Sequence, residues 1–492
     1  MTIQFNSIPV NFYVPGQYIE YSTTRANKNA SVTVPQSVLL IGQMLPAGSA
    51  TPGIVYPVTT ADMVGVLAGR GSMLHQMMKK VVAAAPLLPV YILPLSDAET
   101  SAPATLSLTV TGAAAAPGEI DLYVGDTRYA VGVALGETAS AIATALAGAV
   151  QADDDRWMDA AVDGVNPAKV NFTARNNGVD AGKVPVTLNR YLGEVLPVGV
   201  TITISARTEG TVNPSVDATL WGSLGDTWYP TIVMPYTDAA NLAALKVELA
   251  DRFGPLRMID GYSFCGVNDT VANEEALATA HNSPWDSIVD CADLLTPPYA
   301  AAAAVAAVDA YEPDPARPRQ TLPLPGVLSK IDVGRRNLSE RNQLITKGIS
   351  TLRIDADGTV RVERLTSTYR TDPYGQADQA YFDTTTLHTL MNLRYTLRVR
   401  MASRFPRSKL GQDGSVGPNV VTPSIARSEI IALYRDTWMD QGWVEGGDAL
   451  SQFKNDLVVE IDAADPNRLN AVVPPDLLNA LRVFAAQIDF IR

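Results

Sequence analysis

Few residues of this chain have the type and spacing for chemistry, and most of those few argue against it. Three histidines, His75, His281 and His388, stand far apart with no second ligand at helical or loop spacing. They read as packing or surface residues rather than metal ligands. Gly261-Tyr262-Ser263-Phe264-Cys265 approaches a nucleophile elbow, but Cys265 occupies the place of the second glycine, and no histidine and acid stand beside it in the sequence. Gly178-Val179-Asp180-Ala181-Gly182-Lys183 imitates a phosphate loop with one residue too few between its glycines, and Val184 replaces the required Ser or Thr. A hairpin turn is expected there. Asp355-Ala356-Asp357-Gly358 opens like a calcium loop, yet the place of its closing glutamate falls on Thr366, so this too reads as a turn. No catalytic residue, metal site or cofactor is expected.

One charge cluster stands out. Arg394, Arg398, Arg400, Arg404, Arg407 and Lys409 follow one another with no acid between Asp383 and Asp413. Arg394 and Arg398 are four apart, so they share a helix face. In a chain of net charge −13 the cluster reads either as a solvated face or as a docking surface for an acidic partner protein. Nucleic acid is the weaker reading, because neutralising phosphates needs a broadly basic face.

The elements that must carry these residues form several domains, since 492 residues exceed what one core supports. Apolar content of 47% with 18% charged residues describes a folded chain rather than a disordered one. Cys265 and Cys291 fit small buried residues in a reducing compartment. The first residues lack a charged segment followed by an apolar one, and the longest alanine run, Ala300 to Ala307, is too short to span a bilayer and reads as a buried helix. Synthesis and folding in a cytoplasm are expected, with no membrane insertion.

Residues 25–99 read as alternating strands and helices. Ser37 to Gly42 is an apolar run suited to a strand buried on both faces, and Pro89 to Leu93 is a second. Between them Thr60 caps a helix through Val66, and Met73 to Ala84 forms another. Residues 100–207 change texture to an inserted β-rich domain. It holds a strand around Leu106, Leu108 and Val110, a hairpin turning at Gly125-Asp126, a helix over Thr138 to Val150, and short strands at Val170 to Ala174, Val184 to Leu188 and Val200 to Ser205.

Residues 208–374 return to α/β texture. Strands are expected at Trp228 to Met234 and Met258 to Gly266, and helices from the Asp238 cap to Phe253 and over Glu274 to His281. A proline-rich irregular run from Asp314 to Gly326 follows, then a hairpin over Leu352 to Val362 with an Asp-Gly turn. Residues 375–480 begin with helices near Thr386 to Ser403 and Ser424 to Asp440, followed by a strand at Leu457 to Asp462.

Both ends read as extended apolar arms. Residues 1–24 set Ile8, Val10, Phe12, Val14 and Tyr18 among Pro9, Pro15 and Gly16, which excludes a helix and favours edge-type backbone. In residues 481–492, Phe484, Ile488 and Phe490 fall on one face of a period-two pattern. Ends of this kind need a partner sheet, and pairing across chains supplies one.

Four passages carry a resemblance. They are Ile8-Pro9 through Val14-Pro15 to Tyr18-Ile19-Glu20, the run Asp314-Pro315-Ala316-Arg317-Pro318 with Gln320 to Gly326, the segment Asp332 to Ile349, and the ending Val472-Val473-Pro474-Pro475-Asp476-Leu477 to Ile491. Together they resemble the tail sheath protein of contractile-tailed phages, in its Mu-like branch.

The resemblance implies a non-enzymatic multidomain α/β chain. It would have a subtilisin-like α/β sheath domain without the catalytic triad, the inserted β-rich domain facing outward, and a C-terminal α+β sheath domain with extended terminal strands. It further implies stacked sixfold rings around a tail tube, arms that lend strands to neighbouring subunits, and contraction that drives the tube through a cell envelope during genome delivery. The partners implied are other copies of the chain, the tube protein, and baseplate and tail terminator proteins. The product would be a virion tail sheath assembled in a bacterial cytoplasm. Within that frame the Arg394 to Lys409 cluster becomes a candidate tube-facing or inter-subunit surface. The alternatives are the sheath of a tailocin or related injection machine, or a hydrolase using the α/β domain.

Overall fold

The computed structural model describes residues 33–330 and 334–491. The chain divides into two compact units, the larger made of Pro35–Leu390 with Asn479–Arg492 and the smaller centred on Met391–Leu478.

The larger unit opens with β1 (Val38–Gln43), every residue of it buried, then β2 (Tyr56–Val58), α1 (Ala61–Ala68), α2 (Met73–Ala84) and β3 (Val90–Leu95). Thr60 and Ser72 accept from backbone amides three residues ahead and so cap both helices. β1 pairs in parallel with β3, and β2 adds antiparallel to β3 as an edge.

The β-rich insertion follows. β4 (Thr105–Thr111), β5 (Gly118–Val124) and β6 (Thr127–Val133) precede α3 (Ala139–Gln151), with β7 (Met158–Val162), β8 (Lys169–Ala174), β9 (Val186–Leu188) and β10 (Thr201–Ile204) after it. They form two antiparallel sheets, β10-β4-β8-β7 and β6-β5-β9. The alternating burial of β4 and β8 is the half-exposed pattern that their period-two sequence dictates. Gly125 turns the β5–β6 hairpin at φ 59°, where a side chain would strain the backbone.

The central sheet then resumes. α4 (Ala218–Leu224), β11 (Thr231–Val233), α5 (Ala239–Phe253), β12 (Tyr262–Val267), α6 (Val271–His281), β13 (Asp286–Asp290), α7 (Pro298–Tyr311), α8 (Leu338–Lys347), β14 (Ile349–Ile354) and β15 (Val360–Arg364) complete it. The finished sheet has eight strands in the order β15-β14-β13-β12-β11-β1-β3-β2. Only the two edges run antiparallel to their neighbours.

The expected alanine helix is α7. Ala300 to Ala307 are wholly buried, against α2 and strands β11 and β12. Small side chains let it approach closely, and a Cβ on Gly266 would stand 2.1 Å from the Pro298 carbonyl oxygen.

Three expected strands are shorter than their apolar runs. The run Trp228 to Met234 yields β11 only from Thr231, since Pro230 has no amide to donate. Residues 258–260 stay out of β12 because Met258 and Ile259 donate back to Gly254 and Arg252 and finish α5, with Met258 at φ 50°. Pro185 likewise delays β9 to Val186.

The smaller unit takes its helices from the end of α9 (Thr384–Arg404), α10 (Pro423–Leu433) and α11 (Asp448–Asp456). It also has β16 (Lys409–Leu410) paired with β17 (Val420–Val421), and the hairpin β18 (Val458–Ile461) with β19 (Leu469–Val472). The single helix expected over Ser424 to Asp440 is instead α10 followed by a π-helical turn, Tyr434–Trp438. The wider turn places both aromatic residues inward. Tyr434 lies 4.2 Å from the Phe453 ring, centroid to centroid, and Trp438 donates to Thr396 Oγ1 at 2.8 Å.

Candidate assembly interface

The residues first considered for chemistry are spent on packing. Contrary to the sequence reading, the fold does bring a histidine and an acid to Ser263. β12 sets Ser263 beside Asp286 of β13, and His281 at the end of α6 reaches the same carboxylate, Nε2 to Oδ2 2.8 Å. Ser263 donates to Asp286 Oδ1, and Ser283 donates to Oδ2. The carboxylate therefore sits between the serine and the histidine. A serine nucleophile needs the imidazole beside its hydroxyl, with the acid behind. Ser263, Ser283 and Asp286 have no exposed surface.

Cys265 and Cys291 are buried, which pushes both thiols well up. Burial lowers His75 to about 4, and its Nδ1 accepts from the Gly71 amide at 3.0 Å. His388 sits 3.6 Å from Asp309, itself held by Arg319 at 2.9 Å. In the loop at Gly178, Lys183 pairs with Asp180 at 2.8 Å, and Asp180 accepts from the Thr237 amide. The Asp355-Gly358 segment is the β14–β15 turn, with Asp355 held by Arg353 and Arg361. Among the described residues no group of three or more histidines, cysteines and carboxylates is placed to hold a metal.

The basic cluster divides. Arg394, Arg398, Arg400 and Arg404 lie on α9, while Arg407 and Lys409 follow beyond its end. Glu429 of α10 sits between Arg400 at 2.8 Å and Arg404 at 3.3 Å. The acid absent from the local sequence thus arrives from the next helix and neutralises part of the cluster. Arg398, Arg404, Arg407 and Lys409 remain exposed.

Beside this helix lies an open, mainly apolar groove of about 470 Å³ within the smaller unit. Leu397, Met401 and Phe405 of α9, Ile430 of α10, and Val459 and Leu469 of the hairpin line it. Among the described residues the β18–β19 hairpin has two strands, so each strand keeps one row of amides and carbonyls outside that ladder. Val458 and Val472, at the hairpin's open end, are 48% and 63% exposed.

The C-terminal arm does not form its expected strand within the chain. Asn479 to Ile491 belong to no helix or strand. Phe484, Ile488 and Phe490 are 84%, 88% and 79% exposed. Ile8, Val10, Phe12, Val14 and Tyr18 of the other arm lie outside the described residues.

Comparison with known proteins agrees with an assembly role. Residues 212–368 match the family model of the phage tail sheath protein central domain, and residues 376–491 match that of the phage tail sheath C-terminal domain. The Mu-like prophage FluMu tail sheath protein of Haemophilus influenzae is 36% identical over 496 residues, covering 100% of each chain. Among solved structures, the sheath tail protein Lin1278 from Listeria innocua is similar over 91% of this chain and 93% of its own, with 14% identity and a TM-score of 0.48. The sheath complex of an extracellular contractile injection system, PVC, in its contracted state is similar over 97% and 98%, with 10% identity and a TM-score of 0.47.

Proposed function

The chain belongs to the phage tail sheath protein family, and we propose that its two arms make it a link of a contractile lattice. It is a structural subunit of the tail sheath of a phage or related contractile injection system, hence a component of the particle's tail. The observation that carries the arm reading is the C-terminal segment, whose Phe484, Ile488 and Phe490 find no cover in their own chain. The matching acceptor is the β18–β19 hairpin, whose outer edges have no strand partner among the described residues and which borders an apolar groove. An arm from a neighbouring copy adds a strand there, with backbone hydrogen bonds giving affinity and alternate side chains entering the groove. The N-terminal arm supplies a second strand in the same way.

A sheath of this kind stores free energy in an extended lattice and releases it in a contracted one that buries more inter-subunit surface. Strand-paired arms then act as tethers that keep neighbours joined while the bodies rotate and slide. Sixfold rings around a tube protein, ended by baseplate and terminator proteins and built in the host cytoplasm, complete the reading. In it the central α/β domain is a subtilisin-like body without a triad, a view supported by the parallel sheet and by the misordered Ser263–Asp286–His281 group. The exposed cations of α9 and the residues after it face the tube or an adjoining subunit.

A chain lacking residues 1–24, or one ending at Arg482, is expected to stay soluble and monomeric where the full chain forms tubes, as read by electron microscopy. Regular tubes from either truncation would exclude the arm reading.

A further inference from the structure

The C-terminal arm changes from held to free within one residue. Gln320 Nε2 donates to the Leu481 carbonyl at 3.1 Å, and Arg482 Nη1 donates back to Gln320 Oε1 at 3.2 Å. Arg482 Nη2 donates to Asp383 Oδ1 at 3.1 Å. The Arg482 side chain is only 14% exposed, whereas Val483 and Phe484 are 79% and 84% exposed. Ordering a long arginine costs side-chain entropy, which a fraying segment does not spend.

The floor under Arg482 is itself pinned to the edge strand β15. Thr321 donates to the Val362 carbonyl at 2.8 Å and Leu324 to the Val360 carbonyl at 2.9 Å. Thr321 stands at φ 71°, a conformation that a β-branched residue keeps only where its surroundings impose it. Arg364, the last residue of β15, grips Asp383 through two hydrogen bonds of 3.1 and 3.0 Å. One carboxylate thus serves both the sheet edge and the arm.

We propose that Gln320, Asp383 and Arg482 form the fixed root of the C-terminal arm, a clamp that passes the arm's tension to the edge of the central sheet. The clamp rests on the arm reading above. It makes Arg482 a positioning residue, with the pivot between Arg482 and Val483. The chain reaches this root only after completing the smaller unit at Leu478, so a pull on the arm loads the central sheet first.

Two readouts test the clamp on the full chain. Trypsin must draw the Arg482 side chain out of its seat to cut before Val483. Gln320→Ala is expected to speed that cut about tenfold, because the Arg482 guanidinium and the Leu481 carbonyl both lose a hydrogen-bond partner. Gln320→Ala and Arg482→Ala are both expected to fold with unchanged circular dichroism and to raise the concentration needed for tube formation at least about fivefold. Should Arg482→Ala fail to fold, Arg482→Lys takes its place, since it keeps the charge beside Asp383 but cannot serve both partners. Wild-type tube formation in both variants and a wild-type rate of the Arg482 cut in Gln320→Ala, with the chain ending at Arg482 still monomeric, would overturn the clamp and leave the arm reading intact. Normal tubes from the chain ending at Arg482 would overturn both.

Discussion

Glu274 sits in an environment at odds with its chemistry. It has no exposed surface. Its Oε1 accepts from the Asp269 amide at 3.0 Å and from Arg336 at 3.3 Å, while Oε2 has no hydrogen-bond partner among the described residues. Burial, reinforced by Asp290, raises this carboxyl to about 8 from an ordinary 4.5. The folded chain therefore holds a proton here that the unfolded chain has lost between those values. The stability this group contributes is fully present below about pH 4.5 and is lost as pH rises to about 8. Glu274→Gln keeps the shape without the titration. It is expected to flatten that part of the stability–pH curve, measured by denaturant midpoints from pH 5 to 8. An unchanged slope would place the titration elsewhere. Ser263 teaches the opposite lesson: neighbours of catalytic type in the wrong order are a buried polar joint.

At the scale of elements, what was legible followed from uniform physics. The apolar runs Val38 to Ile41 of β1 and Ala300 to Ala307 of α7 proved to be fully buried, and Gly125 and Gly358 marked their hairpins. β13 was illegible because Asp286 and Asp290 bracket it with charge. They become core residues only through Ser263, Ser283 and His281 at one end and Arg336 at the other. α8 was missed although its signal was present: Asn337 and Glu340 form a capping box, and Gly348 closes the helix in the left-handed region. The apolar character of the C-terminal arm was legible, whereas its root was not, since Gln320 and Asp383 meet Arg482 only in three dimensions.

α9 also owes its surface to a distant partner, as Glu429 already occupies Arg400 and Arg404. Reversing charge at Arg398 and Arg404 is therefore expected to weaken co-assembly with tubes in a salt-dependent manner, while Glu429→Gln, which releases two cations, should not weaken it. Sedimentation of sheath with tubes at two ionic strengths separates these outcomes, and indifference of the double reversal to both would remove the cluster from the interface.

At the scale of the whole molecule, the insertion is bolted to the body that carries it. Lys80 of α2 pairs with Asp126 of the β5–β6 turn at 2.6 Å, both nearly buried, and Asp126 also accepts from Thr296. Trp157 meets Tyr299 at 6.2 Å between ring centres, and Arg190 donates to the Ser329 carbonyl. Removing one partner of a buried pair costs about 3–5 kcal/mol. Asp126→Ala is accordingly expected to lower the unfolding midpoint and to quicken hydrogen exchange at residues 205–211, where the insertion rejoins the body. Unchanged exchange there would mean that the insertion is held by other contacts. The clamp at Arg482 has a consequence in time as well as in space. Asp383 and Gln320 are synthesised 99 and 162 residues before the arginine they hold. A growing chain therefore cannot seat its arm until the smaller unit has been made.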